Sequence, residues 1–330
     1  MRSLSVALAT VCIFLCSGCG SSYLITPVDN TYELQETTVK PGHGWTSDKV
    51  AIIEVEGMLS DTRSGGFLQP QENPVSLFVQ QMDQAADDDA VKAVVLRVNS
   101  PGGTVTASDL MYQVVKRFKA KTHKTVIASI QEVGASGAYY VSCASDKIIA
   151  QDSSIVGSIG VIFNTVDVAD TMSKLGIRSE TVKDEKGVLK DMGSPFHHMT
   201  EAERQVMQSM IQEDYAQFEN IVTSNRHPPD LAAVTTGQVF TGRTAVKLGL
   251  IDQTGILEDA IKLAKDMSHA PDAAVIMYKR PYGYEGSIYA SSRLPMPHDQ
   301  TLGQPFTVNL NVPGLSDPLP TGFYYLAAGW

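Results

Sequence analysis

The chain has 330 residues, an apolar fraction of 43% and a formal net charge of −10 at pH 7. A chain of this length and composition can bury a substantial core, as globular proteins do. Its Lys and Arg residues are scattered along the sequence, which excludes the basic stripe that a nucleic-acid-binding protein needs. We therefore expect a folded protein with no nucleic acid among its partners.

The N-terminus is typical of a secretory targeting segment. A short positive start precedes a mainly apolar run over 4–15, which is too short to span a bilayer comfortably. Small residues before Cys19 resemble a bacterial lipobox, although Cys16 stands where leucine is usual, so ordinary cleavage and an uncleaved anchor are alternatives. We predict a lipoprotein-type signal peptide over 1–18, lipid on Cys19, and a catalytic body anchored to a membrane of the cell envelope outside the cytoplasm.

Strand and helix patterns alternate beyond a polar linker over 19–47. This alternation predicts βαβ units around a mainly parallel sheet. Near residue 270 the composition shifts to Tyr, Pro, Gly and Ser, and we interpret 270–330 as a C-terminal arm that packs on the body or on another subunit. The predicted strands are Val50–Val55, Val91–Val98 and Thr125–Ile130, and the predicted helices lie near Val75–Ala86, Ser108–Lys119, after the capping box of Thr200 and Glu203, and at Gly255–Met267.

The first candidate motif is Asn99-Ser-Pro-Gly-Gly103, directly after the strand that ends at Val98. A glycine pair at the carboxyl end of a strand lets the backbone approach a ligand closely and aim its N–H groups at it. An oxyanion requires such donors, fixed before charge develops. An ordinary turn explains this motif equally well.

The second candidate motif is Gly134-Ala-Ser-Gly-Ala-Tyr-Tyr140, which follows the next strand. Small residues around Ser136 on a strand-to-helix turn would expose its hydroxyl, as in a nucleophile elbow, although the spacing is not G-x-S-x-G. No histidine lies between Ser136 and Phe196, so a lysine is the other candidate base. Such a lysine must be neutral, and burial must lower its pKa from about 10.4 to near 7, equivalent to about 4 kcal/mol.

Five motifs occur in order: Asn99–Gly103, Gly134–Tyr140, Gly157–Val161, Lys190–Pro195 and Gly237–Gly242. Together they resemble the signal peptide peptidase A family, bacterial serine–lysine proteases with a ClpP/crotonase-like fold. The resemblance implies an α/β domain over 48–269, in which stacked βαβ units surround a mainly parallel sheet, with a C-terminal extension.

The resemblance also implies roles for individual residues. Ser136 would be the nucleophile and Lys190 the general base. The amides of Gly103 and Gly137 would form the oxyanion hole, and Ser158 would orient the lysine. A hydroxyl that merely satisfies nearby backbone is the alternative for Ser158.

The segment around the predicted base departs from the family pattern. It carries one extra residue before its Ser-Pro pair and two competing lysines, Lys183 and Lys186. Those two lie among charges, whereas Lys190 follows Val-Leu at 188–189 and precedes Met192. The apolar context favours Lys190, because burial lowers a lysine pKa.

We therefore predict a serine endopeptidase with a Ser-Lys dyad that degrades remnant signal peptides or other extended apolar peptides at the cell envelope. The resemblance suggests a homo-oligomeric ring in which Ser136 and Lys190 meet across a subunit boundary. The sequence contains no metal-site or phosphate-loop motif, and we expect no cofactor and no metal. The alternative is a noncatalytic scaffold or peptide-binding pseudoenzyme of the same fold; export disfavours the acyl-CoA branch.

Overall fold

Runs of β-branched and apolar residues form the strands, and segments with helical spacing form the helices between them. The structure, a computed structural model, describes residues 33–61, 73–280 and 322–326. The strands are β1 (Gln35–Lys40), β2 (Lys49–Leu59), β3 (Val91–Thr104), β4 (Thr125–Ala135), β5 (Lys147–Ala150), β6 (Ile155–Gly157), β7 (Ile162–Asn164), β8 (Val239–Thr241), β9 (Gln253–Thr254), β10 (Ala274–Lys279) and β11 (Gly322–Leu326). The helices are α1 (Pro74–Asp87), α2 (Val105–Thr122), α3 (Gly137–Ser142), α4 (Ala169–Lys174), α5 (Glu201–Asn225), α6 (Leu231–Val234), α7 (Gly242–Lys247) and α8 (Leu257–Met267).

The predicted signal peptide over 1–18 and Cys19 lie outside the described residues. In the part of the chain that the structure describes, no helix is both long enough and apolar enough to cross a membrane. From Leu34 onward the described residues belong to one compact unit.

A single mixed sheet joins the described strands, and parallel pairs form its centre. The order is β1-β10-β2-β3-β4-β5-β9, with β1 antiparallel at the edge. Beyond the end of β5, β6 pairs with β4, and β8 pairs with β6. The mainly parallel sheet between crossover helices confirms the predicted α/β class.

Helices cover both faces of the central strands, which explains why those strands are continuous apolar runs rather than alternating ones. One face packs against α1, α2 and α5, and the other packs against α8. The first layer includes Phe78, Met82, Met111, Val115 and Phe218, and the second includes Val50, Ile52, Val95, Leu257 and Ile261.

Three described strands, β1, β10 and β11, lie outside the predicted 48–269 domain, and two of them extend one edge of the sheet. Within the segment predicted as a linker, Gln35–Lys40 pairs with β10, and β10 itself lies in the predicted arm and pairs with β2. The long-range pairing therefore extends the sheet beyond the boundaries that composition suggests.

A buried ion pair continues the α8 face of the sheet toward the carboxyl ends of its strands. Glu54 and Arg97 are register partners in β2 and β3, and their side chains bond to each other. Only 5% of the Glu54 side chain and 8% of the Arg97 side chain are exposed. A buried charge of this kind is tolerated only while its partner is present.

Replacing Glu54 by alanine should therefore lower the free energy of unfolding by roughly 3–5 kcal/mol, because the Arg97 guanidinium stays buried without its carboxylate. Urea denaturation followed by circular dichroism measures the change. Glu36→Ala is the matched control, since it removes a carboxylate from the more exposed pair with Lys49. It should cost about 1 kcal/mol or less, and equal losses in the two variants would contradict the greater importance of the buried Glu54–Arg97 pair.

Candidate active site

Ser136 lies in the sharp turn between β4 and α3. Its φ is 53° and its ψ is −118°, a conformation that a non-glycine residue adopts only at a cost of about 1–3 kcal/mol. Its N–H donates to the Gly157 carbonyl at 2.7 Å, and its carbonyl accepts from the Tyr140 amide at 2.9 Å. Strand and helix bonds thus hold the strained residue in place, as in a nucleophile elbow.

The Ser136 side chain is fully buried, and its hydroxyl has no hydrogen-bond partner within the described residues. Most buried polar side-chain atoms in native proteins have a partner, so an orphaned hydroxyl requires an explanation. A nucleophile whose base and substrate are not in place is one such explanation.

Two glycines bring backbone amides together beside Ser136. A methyl group on Gly137 would lie 3.2 Å from the Gly103 amide nitrogen, so the two backbones are neighbours. A methyl group on Gly103 would collide with the Leu59 carbonyl, and one on Gly137 would collide with the Ser108 hydroxyl. Only glycine permits this close approach, and the two predicted oxyanion donors consequently lie in one place.

Ser158 lies at the same edge of the sheet as Ser136. Ala135 and Gly157 are register partners in β4 and β6, so the two serines directly follow paired positions. Ser158 also has a φ of 53°, and its N–H donates to the Gln238 carbonyl at 2.8 Å. The structure thus brings the predicted lysine-orienting residue beside the predicted nucleophile.

Lys190 is not brought to the site in a single chain. It lies in the loop before α5, its side chain is exposed, and no contact within the described residues joins it to Ser136. The dry groove that the sequence predicts around its amine is therefore absent from one copy. The neighbouring apolar side chain of Val188 is itself 64% exposed, so the surroundings are apolar but open.

Of the competing lysines, Lys183 already donates hydrogen bonds to two acceptors in its own loop. Its amine donates to an Asp191 carboxylate oxygen at 2.7 Å and to the Val188 carbonyl at 3.0 Å. The hydrogen bond from the Lys183 amine holds the pKa of the Asp191 carboxyl below its ordinary value. Both bonds engage the Lys183 amine within its own loop, so Lys183 is unsuited to act as a base at Ser136, whereas Lys186 and Lys190 form no ion pair among the described residues.

Asp191, His197 and Glu203 place ligand-type atoms within 4.8 Å of one another. Both carboxylates are already engaged, Asp191 by Lys183 and Glu203 by the Thr200 amide at 2.7 Å. A hydrogen bond to the carbonyl of the next residue raises the pKa of His197, and its Nε2 lies 3.4 Å from Asp191. We interpret these contacts as structural, since they hold the loop that contains Lys190 against the start of α5. We do not interpret the cluster as a metal site.

The position of β11 beside the site is a feature that the sequence patterns did not predict. This strand lies in the predicted C-terminal arm, and the structure pairs it with Gly102–Thr104 of β3 and with β7. The signal was the apolar run Phe-Tyr-Tyr-Leu over 323–326 in an otherwise Pro- and Gly-rich segment. Such a run indicates a strand, but it does not identify the edge that the strand will join.

Two protein-family models, both of peptidases, match this chain. The model of "Peptidase family S49" matches residues 118–270, and the model of "Clp protease" matches residues 53–155. Both matched ranges include Ser136 and its turn. The second match agrees with the ClpP/crotonase-like fold that the sequence predicts.

Three relatives extend the similarity beyond the family models. A protein provisionally named signal peptide peptidase SppA, from Enterococcus faecium, is 34% identical over 249 residues, covering 75% of this chain and 71% of that protein. A provisionally named protease from Methanocaldococcus jannaschii is 37% identical over 215 residues, covering 64% of this chain and 68% of that protein. Protease 4 of Haemophilus influenzae is 31% identical over 232 residues, covering 69% of this chain but 36% of its own length.

Replacing Ser136 by alanine should raise the free energy of unfolding by roughly 1 kcal/mol, because it removes a buried hydroxyl that has no partner among residues 33–61, 73–280 and 322–326. Ser154→Ala is the matched control, since that buried hydroxyl accepts the Gln151 amide at 2.9 Å. It should lower stability by about 1–3 kcal/mol. Thermal and urea unfolding of the two variants test the difference in sign, and destabilisation by Ser136→Ala would refute the orphaned-hydroxyl assignment.

Proposed function

The chain belongs to peptidase family S49, the signal peptide peptidase A family, and is a serine peptidase; from this premise we propose that Ser136 and Lys190 form its catalytic dyad. In this proposal, the amides of Gly103 and Gly137 form the oxyanion hole and Ser158 orients the lysine. The substrates are extended apolar peptides, among them signal peptides left after export.

The observation that carries the proposal is the state of Ser136. It combines a strained backbone, complete burial and a hydroxyl with no partner within the described residues, beside two glycine amides that approach each other closely. A structural serine would have satisfied its hydroxyl. Strain and unsatisfied groups concentrate at sites where function requires them.

The proposed reaction is hydrolysis through an acyl-enzyme. Neutral Lys190 takes the proton of the Ser136 hydroxyl while the oxygen attacks the scissile carbonyl carbon, and the resulting oxyanion accepts hydrogen bonds from Gly103 and Gly137. The lysine ammonium then gives its proton to the leaving amine as the peptide bond breaks. Water attacks the serine ester, giving one proton to the lysine, and that proton returns to Ser136 as the new carboxyl terminus departs.

A site shared between subunits supplies what a single chain lacks. Lys190 is exposed to solvent in a single copy, whereas the proposed role as a base requires its amine to be shielded from water. The loop before α5 presents further open apolar side chains, including Ile177, Val182 and Phe196, all at least 49% exposed. Apolar patches of this kind mark contact surfaces, and a second copy of the chain would both cover them and remove water from the amine.

The location follows from the N-terminus. In the proposal, the signal peptide over 1–18 directs export, and lipid on Cys19 tethers the catalytic body to an envelope membrane. Remnant signal peptides are apolar segments near the same membrane, so the tether would hold enzyme and substrate together. Labelling cells with radioactive palmitate tests the tether, because Cys19→Ser should abolish the labelling.

Peptide hydrolysis by the full chain in detergent tests the dyad. Ser136→Ala and Lys190→Ala should each lower kcat/KM by roughly 10³-fold or more, because each removes an essential member of a cooperating pair. Lys186→Ala, in the same loop, is the matched control and should stay within about twofold of the wild type. Equal rates for wild type and Ser136→Ala would remove Ser136 from the mechanism and favour a peptide-binding pseudoenzyme.

Mixing the two inactive variants tests whether the dyad crosses a subunit boundary. In a ring, a Lys190→Ala subunit still offers Ser136, and a neighbouring Ser136→Ala subunit offers Lys190. Random equimolar mixing makes about one boundary in four competent, so about a quarter of wild-type activity should return. Mixed oligomers verified by mass that stay inactive would exclude the shared site.

A further inference from the structure

Two adjacent histidines lie in the loop that contains Lys190, and each faces carboxylates from another part of the chain. The His198 ring lies between two of them, with its Nδ1 2.7 Å from an Asp167 oxygen and its Nε2 3.2 Å from an Asp170 oxygen. Asp170 lies in α4, and Asp167 lies just before that helix. His198 therefore links the loop that contains Lys190 to the start of α4.

The neighbouring ring of His197 makes a corresponding link beside Lys190. Its Nε2 lies 3.2 Å from the Asp191 carbonyl oxygen and 3.4 Å from a carboxylate oxygen of the same residue, and its Nδ1 lies 2.9 Å from the His198 carbonyl oxygen. The buried Glu203 carboxylate of α5 approaches the same Nε2 at 3.8 Å. His197 therefore holds the residue that follows Lys190 against the first turn of α5.

The hydrogen-bond geometry of both rings fits the doubly protonated form. A neutral imidazole carries one N–H, and its other nitrogen presents a lone pair. Each ring here has oxygen acceptors opposite both nitrogens, so a neutral ring would leave one nitrogen facing an oxygen with no proton between them. For His198 both oxygens belong to carboxylates, which makes that contact repulsive. Only the imidazolium ion donates on both sides.

The charges around the two rings also favour the imidazolium form. The rings face the carboxylates of Asp167, Asp170, Asp191 and Glu203. Among the described residues, the one lysine or arginine that forms an ion pair with any of these carboxylates is Lys183, which pairs with Asp191. With neutral rings, four negative charges therefore face one positive charge, whereas two imidazolium ions bring the positive charges to three. The hydrogen bond to Asp167 raises the pKa of His198, and the hydrogen bond to the His198 carbonyl raises the pKa of His197.

Taking these contacts together, we propose that His197 and His198 are positioning residues for Lys190, which hold its loop in place only while both rings are protonated. Because Lys190 is the base only in the proposed function, this inference rests on that function, whereas the hold on the loop is independent of catalysis. A histidine whose pKa is raised on folding contributes fully below its ordinary value of about 6.5, and the contribution is lost as the pH rises through the raised value. The hold should therefore be complete in mild acid and released in alkali.

The requirement of the two rings opposes that of the base. Lys190 acts as a base when its amine is neutral, and rising pH favours that form, whereas rising pH removes the protons that hold the loop. Hydrolysis should therefore show a bell-shaped dependence on pH. The histidines set its alkaline limb.

Hydrogen exchange of the Ser136→Ala chain tests the hold without catalysis. The reporter is the Val168 amide, which donates to the Pro195 carbonyl at 2.8 Å between the two segments that His198 links. Its protection factor, which corrects for the intrinsic effect of pH on exchange, should fall roughly 3- to 10-fold from about pH 6 to about pH 9. The fall is modest because the His198 side chain is 65% exposed, and exposed ion pairs are weak. An unchanged protection factor would overturn the proposal.

Two variants of His198 separate its charge from its shape. His198→Arg stays charged at every pH in this range and can donate to both carboxylates, so it should keep most of the protection at about pH 9. His198→Gln lacks the charge, so its protection at about pH 6 should fall toward the alkaline value of the wild type. His227→Gln, which changes an exposed histidine outside this cluster, is the matched control and should follow the wild type. The same pH dependence in all three variants would overturn the role of His198.

The pH profile of kcat/KM for peptide hydrolysis by the full chain tests the positioning role. At about pH 9, His198→Arg should exceed the wild type roughly 3-fold or more, and His198→Gln should lie below the wild type by a similar factor near pH 6.5. Superimposable profiles for the wild type and His198→Arg would overturn the positioning role. Absence of any Ser136-dependent hydrolysis, together with a pH-dependent protection factor, would instead reject the catalytic proposal and retain the hold on the loop.

Discussion

The candidate active site depends on three parallel strands whose carboxyl ends lie at the same edge of the sheet. β4 pairs in parallel with both β3 and β6, with a register shift after Val98 of β3, so the carboxyl ends of the three strands meet at a single edge of the sheet. That shared edge positions Gly103 at the end of β3, Ser136 after β4 and Ser158 after β6, although 55 residues of sequence separate the first from the last. Parallel α/β sheets place ligand sites at this edge because the backbone there leaves the ladder and can turn its donors outward.

The site nevertheless contains an electrostatic conflict that a single copy cannot resolve. The hydroxyl of the predicted nucleophile is buried and has no hydrogen-bond partner in the part of the chain that the structure describes, whereas the predicted base is exposed. A neutral lysine near pH 7 requires about 4 kcal/mol of unfavourable burial of its charged form. Within the described residues, the loop that contains Lys190 offers open apolar side chains and no enclosing wall. The proposed ring would supply such a wall, because a second copy can contribute dry surface without reorganising the fold.

Local patterns in the sequence sufficed to locate most of the central elements. The strands at Val50, Val91 and Thr125 and the helix after Thr200 begin within a residue or two of their predicted starts, because apolar runs and a capping box are local signals. Their ends were less predictable. β3 continues through the Asn99–Gly103 motif to Thr104, since β2 and β11 supply edges for residues that would otherwise form a turn.

The difference between local signals and long-range contacts also explains which features of the site could not be predicted. The turn around Ser136 could be predicted because small residues after a buried strand have few other uses. The exposure of Lys190 could not, because the apolar neighbours that favoured it show only that burial is possible. Burial itself depends on surfaces far along the chain or on another copy. β1 was missed for a related reason, since its partner β10 lies more than 230 residues away in sequence.

The pairing of β11 also protects the edge of the sheet beside the candidate site. Without it, β3 and β7 would present strand edges with unpaired backbone groups, and such edges invite unwanted association between chains. β11 satisfies those groups through antiparallel pairs with Gly102–Thr104 of β3 and with β7, so the chain closes this edge with a strand of its own.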